Sequence, residues 1–100
     1  MIRHIVVFKM KENALGTIGM ENAKLLSERF KGISKKIEGV VSIETGFNFN
    51  SEKEFYEFGL NQVFKNKKAL ENYIEHPLHI KVRDFVREII NRRIVIDYKI

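Results

Sequence analysis

The chain has 100 residues, 44% of them hydrophobic and 31% charged, with one proline, six glycines and no cysteine. That length suits one domain spanning residues 1–100; the apolar share is too high for a disordered chain, and no apolar run is long enough to cross a bilayer. The missing cysteine excludes a disulfide scaffold, a thiolate zinc site and a cysteine nucleophile. Eighteen Lys and Arg against thirteen Asp and Glu leave a charge of +5. The basic residues are scattered, however, and only Lys65 to Lys68, interrupted by Asn66, forms a cluster, so solvated surface accounts for them and no nucleic-acid partner is expected. The apolar stretch at the N-terminus is closed by Lys9 and is too short for the core of a signal peptide, so the cytosol is the expected compartment, with no membrane partner.

Residues 2–10 alternate, with Ile2, His4, Val6, Phe8 and Met10 on one face and Arg3, Ile5, Val7 and Lys9 on the other, the pattern of a strand. Residues 11–19 hold Asn13, Gly16 and Gly19 and read as a loop. From about Thr17 or Met20 the spacing becomes helical, with Leu26, Phe30, Ile33 and Ile37 forming the buried stripe and Gly39 standing where a left-handed cap belongs. Period two returns over residues 40–50, with Val41, Ile43, Thr45, Phe47 and Phe49 against Val40, Ser42, Glu44, Gly46 and Asn48. A polar turn, Asn50-Ser51-Glu52-Lys53, then leads into a second alternating run that places Tyr56, Phe58, Leu60, Gln62 and Phe64 together, so the two runs read as a hairpin. Asn66 can cap the next helix, whose stripe is Ala69, Leu70, Tyr73 and Ile74; Pro77 ends it near Glu75 or His76. A further helix turns Val82, Phe85, Val86, Ile89 and Ile90 inward. Arg92-Arg93 leads into a last strand with Ile94, Ile96, Tyr98 and Ile100 against Val95, Asp97 and Lys99.

The order β-α-β-β-α-β predicts an α+β, ferredoxin-like domain: a four-stranded antiparallel sheet with helices on one face. The aromatic set Phe8, Phe47, Phe49, Phe58, Phe64 and Tyr98 is expected under the helices. The opposite face mixes Ile5, Val7, Val40, Val63 and Val95 with Ser42, Glu44, Glu57, Asn61 and Asp97. A partly apolar face of this kind marks a contact surface, and a chain of this size buries only about 60–65% of its unfolded area on its own. Two copies meeting sheet to sheet as a twofold homodimer satisfy both conditions. RNA-recognition domains of the same strand order stack bases on exposed sheet aromatics, which the first three strands lack on this face.

Chemistry rests on the histidines. His4 lies on the apolar face of the first strand, and His76 and His79 flank Pro77-Leu78. A buried imidazole beside a cavity is a candidate general acid or base, and a satisfied core histidine is the bland alternative. His76 reads as a cap or surface residue. The His-x-x-His spacing has no neighbouring carboxylate or thiolate to complete a metal site, so no metal is expected; no Gly-rich phosphate loop, Gly-x-Ser-x-Gly or paired-carboxylate motif is present, so no cofactor is expected either. Tyr73 belongs to a core stripe, with a hydroxyl that needs a partner if buried.

The opening Ile2-Arg3-His4-Ile5-Val6-Val7-Phe8-Lys9, the segment Tyr73-Ile74-Glu75-His76-Pro77-Leu78-His79 and the closing Ile94-Val95-Ile96-Asp97-Tyr98 together resemble the stress-responsive dimeric α/β-barrel family. The resemblance covers essentially the whole chain and implies a homodimer whose two sheets form one barrel. It extends to a plant polyketide cyclase in which two histidines and nearby tyrosines form a pocket between sheet and helices for an intramolecular aldol condensation. By motif those histidines match His4 and His79, and one tyrosine matches Tyr73. The cyclase's second pocket tyrosine has no counterpart in Leu25-Leu26-Ser27-Glu28-Arg29-Phe30. What the resemblance implies is a pocket for a small hydrophobic ligand. Alternatives are a cyclase-like enzyme with His4, His79 and Tyr73 as catalytic residues, and a related cofactor-independent monooxygenase.

Overall fold

Strand β1 (Ile2–Met10) alternates buried and half-buried residues along its whole length and forms the spine of the domain. The computed structural model describes residues 1–50 and 55–100. β1 leads through a short hairpin, β2 (Asn13–Ala14) and β3 (Thr17–Ile18), into helix α1 (Gly19–Ser34). The stretch expected as a loop is this hairpin, and its turn places Leu15 and Gly16 at φ 52° and 80°, the paired left-handed conformation of a tight two-residue turn. Strand β4 (Val40–Phe47) and strand β5 (Phe58–Phe64) follow, then α2 (Lys67–Glu75), α3 (Pro77–Ile89) and β6 (Ile90–Lys99). In the sheet the order is β4-β5-β1-β6, with every neighbouring pair antiparallel. This is the ferredoxin-like fold. Of the expected turn before β5, Ser51, Glu52 and Lys53 lie outside the described residues. Among the described residues no helix is long and apolar enough to cross a membrane.

Local chemistry explains the boundaries. Asn66 accepts a hydrogen bond from Ala69 N at 2.8 Å and starts α2. His76 does the same for α3, its Nδ1 accepting from Leu78 N at 3.1 Å, while Pro77 occupies the first turn, where a missing N–H costs nothing. Ile37 is buried beyond the end of α1, and Gly39, at φ +95°, turns the chain so closely against α2 that a Cβ there would lie 2.7 Å from Ala69 Cβ. The core between sheet and helices gathers Val6, Phe8, Met10, Leu26, Phe30, Phe58, Leu60, Phe64, Tyr73, Val86 and Ile89.

Two irregularities reverse parts of the expected facing. In β4 the register shifts between Val40 and Ser42, so Val40 pairs with the buried Phe64 and turns inward, Ile43 and Thr45 follow, and Val41 is left exposed. In β6 the register shifts opposite Lys9 and Met10, which puts Arg93, Val95 and Asp97 opposite the inward-facing Phe8, Val6 and His4. Ile94, Ile96 and Tyr98 pair instead with Val7, Ile5 and Arg3 on the outer face, where they are 53%, 55% and 42% exposed. The expectation that Tyr98 and its apolar neighbours lie under the helices is therefore corrected. β6 is an edge strand that the helices do not cover, so the inward-facing Val95 is also exposed. Phe49 is likewise not a core residue: it falls beyond the end of β4 and is fully exposed.

Candidate functional site

Four elements converge on one point between the sheet and the helices. β1 supplies His4, β5 supplies Gln62, α2 supplies Tyr73, and α3 supplies His79. With Phe8, Phe30 and Leu60 as apolar wall and Arg83 and Arg93 at the side, they line a cavity of about 20 Å³, room for roughly one water-sized body. The three residues singled out from sequence, His4, Tyr73 and His79, are thus brought together. The Pro77 break makes this work: it restarts the helix so that His79 falls in the first turn of α3 and its ring stands 4.7 Å from that of Tyr73, centre to centre. Phe30, from α1, places its ring 6.5 Å from that of His79.

The two histidines differ in state. His4 is buried, with its Nδ1 hydrogen-bonded to Asp97 Oδ1 across the β1–β6 pair. A carboxylate can only accept, so His4 Nδ1 carries a proton and donates it to this bond. His79 Nδ1, by contrast, is buried with no hydrogen-bond partner among the described residues. Burial disfavours the imidazolium, and the positive charge of Arg83 adds to this. A hydrogen bond from the ring to the Ile74 backbone opposes it; His4 and Arg93 push the same way as Arg83, and the balance brings the His79 pKa down to about 4. At neutral pH the ring is uncharged and free to accept.

Tyr73 and Gln62 form a buried polar pair. Gln62 Nε2 donates to Tyr73 OH and to Ser34 Oγ, each at 3.1 Å, while Gln62 Oε1 has no partner among the described residues. Burial raises the Tyr73 pKa above its ordinary value against the opposing hydrogen bonds to Gln62 and Ser34, so the phenol keeps its proton. Unpartnered buried polar atoms cost about 1–3 kcal/mol each, and among the described residues three of them, on His79, Gln62 and Arg83, belong to residues lining one cavity.

Sequence reasoning missed Gln62, Asp97, Arg83 and Arg93 as site residues. Gln62 carried a signal, a lone amide on an otherwise apolar strand face. Asp97 was expected on the opposite face of the sheet, and Arg93 was read only as leading into the last strand.

The comparisons agree with this architecture. A structure from Mesorhizobium loti described as a Dabb family protein with a ferredoxin-like fold is 30% identical, with TM-score 0.77, covering 98% of this chain and 94% of its own. A dimeric protein of unknown function and ferredoxin-like fold from Bacteroides fragilis is 24% identical, with TM-score 0.78, over 99% of this chain and 95% of its own. An uncharacterized protein of Streptomyces coelicolor is 31% identical over 81 residues, 79% of each chain. The family model of the stress responsive A/B barrel domain (Dabb) matches residues 2–100, and the chain belongs to that family.

Proposed function

We propose that the protein is a homodimer, joined through the outer sheet faces, that binds a small molecule in the pocket between sheet and helices. The observation that carries the ligand reading is the buried, unpartnered Nδ1 of His79 on the same cavity as His4, Gln62 and Tyr73. The dimer is supported by the apolar outer face, where Ile5, Val7, Ile94, Ile96 and Tyr98 share one surface, and by the dimeric relative from Bacteroides fragilis.

A second reading is an enzyme of aldol-type proton transfer. It is favoured by a neutral imidazole beside a protonated phenol: His79 takes a proton from a carbon next to a carbonyl, and Tyr73 donates a hydrogen bond to the oxygen on which negative charge develops. The Asp97-bound His4 orients the substrate through Nε2. A base with a pKa near 4 is weak, so on this reading a bound substrate must raise it toward neutrality.

A thermal-shift screen of small carbonyl compounds against wild type and His79→Ala tests the pocket. Compounds that raise the melting temperature of wild type are expected to leave His79→Ala unmoved. Equal shifts in both proteins would place the ligand elsewhere.

A further inference from the structure

The cavity is asymmetric in charge. Arg83 on α3 and Arg93 on β6 both line it, and among the described residues neither has an ion pair. Arg83 Nε is itself buried and without a partner among the described residues, while Arg93 is exposed, so the two guanidinium groups run from the interior toward solvent. Asp97, which shares the inward face of β6 with Arg93, is held by His4. Arginine forks match a planar carboxylate in geometry, and an unpaired, partly buried guanidinium leaves strong donors unused. Deeper in, His79 Nδ1 and Gln62 Oε1 are the unpartnered polar atoms, with Tyr73 beside them.

We propose that the pocket takes a small organic carboxylate: its charged end lies at the mouth against Arg83 and Arg93, and its uncharged oxygen-bearing end enters the cavity beside His79, Gln62 and Tyr73. This rests on the pocket reading above and names its ligand class. The cavity has room for a group about the size of one water, so it receives the terminal oxygen of such a molecule and the carbon skeleton lies toward the mouth. The carboxylate also neutralises the arginines that face His79, so the acid that binds is the one that makes His79 a stronger base. The other groups lining the pocket, His4 from β1 and Tyr73 from α2, carry no negative charge to do this.

The test is a titration of the full chain with pyruvate, acetoacetate and levulinate, and with their methyl esters, followed by NMR of the His79 ring. At least one acid is expected to shift the His79 signals saturably, with its ester needing at least tenfold more. Arg83→Gln and Arg93→Gln should each weaken that acid by about tenfold or more, the loss of a charge-assisted hydrogen bond, and leave the ester unchanged. Arg93, being exposed, serves as the variant that does not risk the fold. Acids and esters binding alike, arginine variants without effect, or phosphate binding more tightly than any acid would each overturn the charge assignment and leave the pocket reading intact. If no acid moves His79 the carboxylate assignment falls, and the pocket reading falls with it only if the carbonyl screen also finds nothing that depends on His79.

Discussion

The two faces of the sheet invert the usual distribution in opposite ways. Toward the helices, a buried surface carries His4, Gln62, Tyr73 and His79 among phenylalanines; toward solvent, an exposed surface carries Ile94, Ile96 and Tyr98 beside Ile5 and Val7. Buried polar groups and exposed apolar patches are the informative departures from the inside-outside rule. On the proposed function, the outer face departs because a second copy covers it, and the inner face departs because its polar atoms await a bound ligand.

The largest expected effect separates the two faces. Ile94→Glu with Ile96→Glu places two charges in the proposed contact, and sedimentation should shift from a dimer to an 11.8 kDa monomer, with dimer affinity reduced on the order of 100-fold or more. The inner face should remain folded in that variant, because neither residue touches the helices. A dimer unaffected by both charges would move the interface elsewhere.

A smaller effect probes the inner face through pH. His79 has a pKa of about 4 in the folded protein against an ordinary 6.5. Between those values the unfolded chain takes up a proton that the folded chain refuses, so stability falls as pH drops from about 6.5 to about 4 and is unaffected by this group above that window. In His79→Leu that part of the decline should vanish, leaving a flatter curve of melting temperature against pH than wild type. Superimposable curves would mean that His79 is solvated and ordinary.

The smallest effect is the most specific. Gln62→Leu removes an amide whose oxygen is unpartnered and whose nitrogen serves Tyr73 and Ser34. One loss offsets the other, so stability in urea should change by no more than about 1 kcal/mol, while any ligand that depends on His79 should bind more weakly. A loss of several kcal/mol would make Gln62 a structural residue.

Much of this was legible in the sequence, and the exceptions have one cause. Strict alternation placed His4, Val6 and Phe8 on the buried face of β1 correctly, and helical spacing together with Pro77 located Tyr73 and His79. Where a strand carries a register shift, parity is lost beyond it: Val40 turned inward, and Ile94, Ile96 and Tyr98 turned outward, exchanging places with Arg93, Val95 and Asp97. Nothing in the local residue pattern marks a bulge of this kind, and the more apolar set, Ile94, Ile96 and Tyr98, is the one a reader of the sequence turns inward. The correction strengthens one expectation and adds to another: the outer face is more apolar than alternation allowed, and the pocket gains an arginine and the carboxylate that orients His4.

The central claim is that the pocket's unpartnered polar groups are kept for a ligand rather than for the fold, and the urea unfolding free energy of His79→Leu tests it most directly. The variant gives up an aromatic contact with Tyr73, about 0.5–1.5 kcal/mol, and relieves a buried polar atom of comparable or larger cost, about 1–3 kcal/mol. Stability equal to or above wild type is the result expected of a histidine retained for binding. A variant less stable by 2 kcal/mol or more, on the order of a broken buried hydrogen-bond network, would show that His79 holds the domain together and contradict the account.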